Sequence, residues 1–552
     1  MKKIIAYADF ETTQPNENEE VRVYLWCIVL ENGKKEFGTD ISSFMNYIRS
    51  KKLKIYFHNA KFDFSYIHYY LLKNDIKVEI LEKLGVLYTA KFWNVEIVDS
   101  MNFLPMTLKE VGLNYCSNYQ KTQLEEYAVD YNHFPTKQEI EYCFNDCLTL
   151  KEGLENYFDT LIEVLQEAGA FETAKKVTKK LTNAGIAFSA FCELSSYEDC
   201  CPKTTYNEFM QFKEAYKGGY VYSNPKGIVE NIQMIDCNSM YPFMYSSIDM
   251  PIGKPIKVDK IEDLKNYKFY IIRVIGEFTL KKGYIPIIGG GISKYGGTLY
   301  KSESDGLTEL TLTKQDYELI QKFYNCNFTF LDGWGFETAN SFFKKYADIF
   351  IAMKNRYKGI KRAVVKVLLN SPYGKMAMNG LQEKYNYSIN ADGLIDKELT
   401  GIELDENMYN YLPIAIAITA TARKYLLETA NTIGFDNVMY MDTDSIKYKN
   451  KKVDLIFDND KLGAWKDEGL VPLFKTIAPK KYCYYDGEKI HFKCAGVNAK
   501  SLERFLYNEQ SVTKEEAIKL MNTFDRGFKI SCLQSNLYKG GRYLKEVIKE
   551  IR

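Results

Sequence analysis

Over its first 170 residues the chain switches between two hydrophobic periods. IIAYADFE, VRVYLWCIVL, LKIYFH and NVEIVDS are short runs rich in β-branched and aromatic residues and read as strands. FDFSYIHYYLLK and TKQEIEYCFNDCLTLKEGLENYFDTLIEVLQ read as helices. Strands and helices in alternation predict an α/β domain with acidic residues at strand ends. Further along, IVENIQMIDCNSMYP reads as a strand followed by a turn, and NVMYMDTDSIKYK as a strand–turn–strand hairpin. A long basic helical segment lies between them, and GGGISKYGG and INADGL mark loop-rich insertions. The chain contains no internal repeat and no low-complexity tract.

At 552 residues the length suits about three to five domains. A hydrophobic share of 46% and a charged share of 26% fit a folded, globular chain. No apolar run reaches the ~20 residues of a membrane span. Asp9 and Glu11 interrupt the apolar start too early for a signal peptide. The 12 cysteines include no CxxC pair and the four histidines are scattered, which argues against zinc and a disulfide framework and for reduced, cytoplasmic thiols. Net charge is only +1, but it is segregated. Residues 1–170 hold 26 acidic and 18 basic side chains, residues 341–375 hold 9 basic and one acidic, and residues 472–552 hold 16 basic and 9 acidic. Such segregation suits acidic metal sites beside basic tracks for phosphates; solvated lysine-rich faces would give the same counts.

Two sets of carboxylates carry the chemistry. In the first, Asp9 and Glu11 stand two apart on a strand and share a face; Asp63 opens a helix; Tyr142 and Asp146 lie one helical turn apart. Four acids from three elements can hold two divalent cations, with Tyr142 orienting the attacking water. Any one of these residues alone would pass for a solvated acid or a helix cap. In the second set Asp236 ends a strand, and Asp442 and Asp444 lie two apart on a hairpin. Three carboxylates there can hold two Mg2+ or Mn2+ ions, one activating a primer hydroxyl and one binding a triphosphate. Between them Lys354, Lys358, Arg362 and Lys366 recur every four residues and predict a cationic stripe on one helix face for that triphosphate.

The order D-x-E, N-x-x-F-D, Y-x-x-x-D resembles the three motifs of DEDD 3′→5′ exonucleases. That resemblance implies that Tyr56, His58, Asn59 and Phe62 grip an unpaired primer end. Ser100 and Met101 match an S-L-x-x-L pattern in which methionine replaces the usual leucine, and Lys121, in K-x-x-L, matches a catalytic lysine. As a plain surface lysine Lys121 would read equally well.

D-x-x-S-x-Y-P, K-x-x-x-N-S-x-Y-G and Y-x-D-T-D-S resemble motifs A, B and C of family B DNA polymerases. The resemblance implies Tyr241 as a gate against ribonucleotides, Lys366 on the triphosphate and Tyr373 against the nascent base pair. Tyr216, Gly218 and Gly219 match Y-x-G-G; Thr419, Ala422 and Arg423 match T-x-x-A-R; Lys480 and Tyr482 match K-x-Y. Together these resemble the protein-primed branch of the family, where such motifs contact primer DNA or terminal protein. That branch implies an N-terminal RNase H-like exonuclease domain (1–170) ahead of a right-hand polymerase. The polymerase would comprise palm (171–247 and 413–510), fingers (342–377) and thumb (511–552), with insertions at 248–341 and 378–412 for terminal protein and for strand displacement. Expected partners are template and primer DNA, dNTPs, terminal protein and a single-stranded DNA-binding protein. A monomer in the cytoplasm of an infected host cell, away from membranes, completes the expectation. A DNA-primed family B repair polymerase, or a nuclease with a non-catalytic polymerase half, are the alternatives.

Overall fold

The computed structural model describes residues 3–83, 85–122, 129–292, 298–340, 343–378, 380–405, 410–449, 451–497, 502 and 510–551. Leu124 and residues 293–297 of GGGISKYGG therefore lie outside the described residues.

The N-terminal layer is a seven-stranded sheet in the order Lys35–Gly38, Val23–Leu30, Ile4–Thr12, Leu53–Phe57, Val95–Asp99, Val86–Phe92, Glu79–Lys83. Its centre is parallel, because Leu53–Phe57 pairs with both Ile4–Thr12 and Val95–Asp99 in that sense. Both faces are covered, as a sheet of this type requires. Ala6, Ala8 and Phe10 pack against helices Ile41–Arg49 and Lys61–Lys73; Tyr7 turns to the opposite face, toward helix Lys137–Glu167. Thr136 and Glu139 close a capping box that starts this 31-residue helix, so its register against the sheet is set at the end nearest the acids.

A second seven-stranded sheet, wholly antiparallel, runs Ile490–Cys494, Lys481–Tyr485, Trp465–Ala478, Ile228–Cys237, Ser445–Lys449, Val438–Asp442, Val221–Ser223. Helix Leu412–Ile433, buried along nearly all its length, packs against it and against helix Met240–Ser247. Residues Asp249 to Asn340 contribute a four-stranded sheet, Asp249–Val258, Tyr324–Asn340, Phe269–Leu280, Thr308–Thr313, with helix Lys314–Phe323.

Two long hairpins project from this body. Leu381–Ile389 with Ile395–Leu404 and Lys529–Tyr538 with Gly541–Glu550 each pair only within themselves. Both return to the N-terminal layer. Lys397 pairs with Glu82 at 2.9 Å, and the backbone of Lys539 exchanges hydrogen bonds with Glu19 and Val21. Their tips meet, since a Cβ on Gly393 would stand 3.1 Å from the Lys539 side chain.

Candidate functional site

The pleat of Ile4–Thr12 sends Tyr7, Asp9 and Glu11 to one face, toward Lys137–Glu167. That helix brings Asp146, 2% exposed, and Tyr142 one turn earlier; Lys61–Lys73 adds Asp63, 4% exposed, in its first turn. Asp9 and Glu11 keep some solvent contact yet lie deep among protein atoms. Desolvation, then repulsion from neighbouring acids and Cys143, pushes both carboxyls well above the ordinary range, and desolvation does the same to Asp63. Asp146 is pushed up to about 6, because burial outweighs the attraction of Lys121. Lys121 forms an ion pair with Asp146 and lies 5.0 Å from the Tyr142 ring, so the structure joins it to the cluster. Asp146 Oδ1 is buried with no hydrogen-bond partner among the described residues. An oxygen-rich donor set with an orphaned carboxylate oxygen fits a hard divalent cation.

The flanking residues split into two groups. Asn59, exposed and held at φ 63° by a hydrogen bond from its N–H to Asp99 Oδ1, and half-buried Phe62 are open toward solvent beside Asp63. Tyr56 and Ser100 are not. Tyr56 is 2% exposed and stacks on Tyr7 at 5.9 Å, because the alternation of Leu53–Phe57 aims it into the core. Ser100 is fully buried with its Oγ 2.9 Å from His58 Nδ1, and His58 Nε2 lies 2.7 Å from the Met106 carbonyl. Ser100 thus holds His58 and Tyr56 packs beneath the sheet, so of the expected residues Asn59 and Phe62 are the ones open toward solvent here. Met101 is half-buried and its N–H also donates to Asp99.

In the antiparallel sheet Asp236 stands opposite Ser445, so it and Asp444 adjoin at the mouth of the hairpin Val438–Asp442/Ser445–Lys449. The Cys237 N–H donates to the Asp444 carbonyl at 2.7 Å and pins this register. Asp236 is pushed up to about 7, by burial and then by Asp444 and Glu468, against the pull of Lys447 and Lys466; Asp444 is raised for similar reasons. Thr443, a β-branched residue at φ 57°, turns the chain between Asp442 and Asp444, and Ser239 and Lys480 are also left-handed. Strained backbone collected at one spot marks a constrained site.

The basic segment is not one helix. Lys344–Arg356 ends, Tyr357 and Lys358 are extended, and Gly359 at φ 56° starts Gly359–Asn370. The single stripe inferred from four-residue spacing is thus corrected to a helical hairpin. Its turn still gathers charge: Arg362 donates to the Lys354 carbonyl at 2.6 Å, and the charges of Lys366 and Arg362 act on Lys354. Lys358 is exposed at the turn. Tyr241 and Tyr373 pack as tilted rings with centroids 4.2 Å apart, and Tyr241 feels the charge of Asp444. Gly374 is exposed, a Cβ added there would meet no heavy atom within 4 Å, and Pro372 opens the short helix after Asn370.

Y-x-G-G lies behind the hairpin. A Cβ on Gly219 would fall 2.4 Å from Thr443 Oγ1, and the Thr443 N–H donates to the Tyr220 carbonyl. Arg423 reaches the carbonyls of Lys217 and Gly218 and forms a bidentate pair with Asp316, 2.7–3.2 Å, with both side chains under 10% exposed. Thr419 is 1% exposed and its hydroxyl bonds to the Ala415 carbonyl. In this structure Arg423 therefore supports the loop that carries Tyr216, and Thr419 is bonded within its own helix. Lys480 pairs with Asp442 at 3.0 Å, and half-buried Tyr482 packs on Tyr440 at 4.7 Å.

Four residues escaped the sequence reading. Asp99 caps the turn beside Asp63, Cys143 lies among the first acids, Lys447 is buried beside the second, and Asp316 anchors Arg423. Asp99 was legible as an acid at a strand end; for the other three only the fold supplies the partner.

A family profile described as DNA polymerase type B, organellar and viral, matches residues 45–139 and 134–461. The chain is 28% identical to the DNA polymerase of Bacillus phage Nf over 520 residues, 87% of each chain. It is 26% identical to that of Bacillus phage phi29 over 544 residues, 89% of this chain and 91% of the other. It is 25% identical to that of Streptococcus phage Cp-1, over 86% and 87% of the two chains. Solved phi29 DNA polymerase, in a ternary complex with primer-template DNA and incoming nucleotide, overlays with a TM-score of 0.85 across 100% of both chains at 23% identity. That likeness gives the fold: the mixed α/β, multidomain architecture of that polymerase across the whole chain.

Proposed function

Because the chain belongs to the type B DNA polymerases of organelles and viruses, we propose that it copies DNA at Asp236, Asp442 and Asp444 and trims it at Asp9, Glu11, Asp63 and Asp146. The observation that carries this reading is the adjoining of Asp236 and Asp444 across paired strands, with a second acid set on a separate sheet. Divalent ions, Mg2+ or Mn2+ and two per site, would supply activation of the attacking oxygen and stabilisation of the leaving one. The protein's own side chains do the rest. Lys354, Arg362 and Lys366 attract the triphosphate, and Tyr241 parts from Tyr373 to place its ring under the sugar. Tyr142 and Lys121 orient the attacking water over the primer end, which Asn59 and Phe62 receive by polar contact and stacking. Lys480, paired with Asp442 here, would be free to meet the primer phosphate where that carboxylate holds a divalent ion.

Domain limits follow at 1–170, 171–247, 248–341, 342–377, 378–412, 413–510 and 511–552. The Asp249–Asn340 sheet would receive a terminal protein, and the 378–412 insertion would close around downstream DNA, giving processive strand displacement in the infected cell. Relatives named as phage DNA polymerases over most of their length support protein priming. Supplying Mg2+, one labelled dNTP and candidate terminal protein tests it: a covalent nucleotide–protein adduct is expected, and labelling that needs a DNA primer would favour a repair polymerase.

A further inference from the structure

Cys143 sits where the trimming reaction does not need it. It is fully buried, one helical turn before Asp146 and on the same face of Lys137–Glu167. Its Sγ and one carboxylate oxygen each from Asp9 and Glu11 all lie within 4.8 Å of one another. Among the described residues this is the one group of three such donors that closes so far. Asp146, whose Oδ1 is buried with no hydrogen-bond partner among the described residues, interacts electrostatically with all three.

Resting on the exonuclease reading above, we propose that this cluster is also a site for thiophilic divalent cations, Cd2+ or Zn2+, held by Asp9, Glu11 and the Cys143 thiolate. Hard Mg2+ gains little from sulfur and stays on the oxygens, whereas a soft ion gains a strong third donor. The proton on Sγ passes to buffer as the Sγ–metal bond forms. Cys143 Sγ donates to the Asp9 carbonyl at 3.5 Å, as Cys147 Sγ does to the Cys27 carbonyl at 3.5 Å and Cys27 Sγ to the Ile140 carbonyl at 3.9 Å; what sets Cys143 apart is that its sulfur also lies within reach of the Asp9 and Glu11 carboxylates. In the second sheet Cys237 donates to the Gly463 carbonyl at 3.5 Å, and among the described residues no cysteine closes with Asp236, Asp442 or Asp444 into such a group of donors. Thiophilic ions should therefore silence trimming before synthesis.

The test titrates the full chain with Cd2+ and reads the ultraviolet thiolate-to-cadmium charge-transfer band as a difference between variants. The expected result is one band lost in Cys143→Ala, kept in Cys27→Ala and Cys147→Ala, and weakened at least ~10-fold in affinity by Asp9→Ala with Glu11→Ala. Cys143→Ser, which preserves volume, should lose the band too, guarding against misfolding of the alanine variant. Cd2+ should inhibit excision at a concentration ~10-fold or more below that for incorporation. A band that survives in Cys143→Ala overturns the proposal, and so does equal loss in all three cysteine variants, which would mean a buried three-thiol site. Mg2+-supported excision that persists in Asp9→Ala with Glu11→Ala would instead sink the exonuclease reading, independently of the band.

Discussion

The two acid clusters differ in how their charge is held before any cation arrives. The cluster proposed for trimming collects acids from three elements around a parallel sheet and sets one described cation, Lys121, against Asp146. The cluster proposed for polymerising lies on adjoining antiparallel strands, with Lys447, Lys466 and Lys480 in electrostatic reach. The first is thus a deep, under-compensated pocket, and the second a shallower site with a ready supply of countercharge. A pocket that must be filled by cations suits water-driven cleavage of a frayed end. A site ringed by lysines suits repeated entry and departure of triphosphate and pyrophosphate.

Separation of the clusters is broken most severely by removing one acid. Asp444→Ala should lower incorporation at least ~10^3-fold while excision of single-stranded DNA stays near the parent rate, and Asp9→Ala with Glu11→Ala should do the reverse. Primer-extension and excision assays on the same preparations decide it; a joint loss in folded protein would deny two sites. Next comes the support of the second cluster. Arg423→Met leaves buried Asp316 with only the Thr313 hydroxyl and the charge of Lys217 to answer it, and should destabilise by about 3 kcal/mol in denaturant titration. Asp316→Leu with Arg423→Met should recover part of that, and no recovery would mean the pair is not the reason Arg423 is buried. Tyr241→Ala should raise ribonucleotide incorporation about ten-fold, and unchanged sugar discrimination would reject the gate.

The charge contrast also has a pH signature. Asp236, facing Asp444, Glu468, Lys447 and Lys466, moves from 3.8 to about 7 on folding, and Asp146, facing Lys121, Cys143 and Tyr142, to about 6. A raised carboxyl binds its proton more tightly folded than unfolded. Its stabilising contribution is complete below the ordinary carboxylate pKa and is lost as pH climbs through the folded value. Metal-free protein should melt at a higher temperature near pH ~5 than near pH ~8, and Mg2+ should restore more stability at the higher pH. Equal Mg2+ shifts at both would contradict the raised values. The smallest effect belongs to the rim: Glu163→Gln removes the exposed pair with Lys361 that ties the helical hairpin to the long helix, and should leave the denaturant midpoint nearly unchanged.

What the sequence revealed tracks how local each cause is. Asp9, Glu11, Asp442 and Asp444 were legible because strand pleat and a tight turn fix where neighbouring side chains point. The break at Gly359 was not, because regular spacing of cations says nothing about backbone continuity. Burial of Arg423 depends on Asp316, 107 residues away. The tetrapeptide YKGG shows the limit best. It occurs at 216–219, behind the acid hairpin, and again at 538–541, where Gly540 and Gly541 let the C-terminal hairpin turn against Val21 and Tyr66. A Cβ on Gly540 would stand 2.2 Å from the Val21 carbonyl oxygen, so the same letters answer to different neighbours.

Soaking crystals with Mn2+ and mapping anomalous scattering tests the central claim most directly. The account predicts manganese bridging Asp236 and Asp444, and separate manganese among Asp9, Glu11, Asp63 and Asp146. Density that fails to bridge Asp236 and Asp444, or that fills one cluster and never the other, would contradict it.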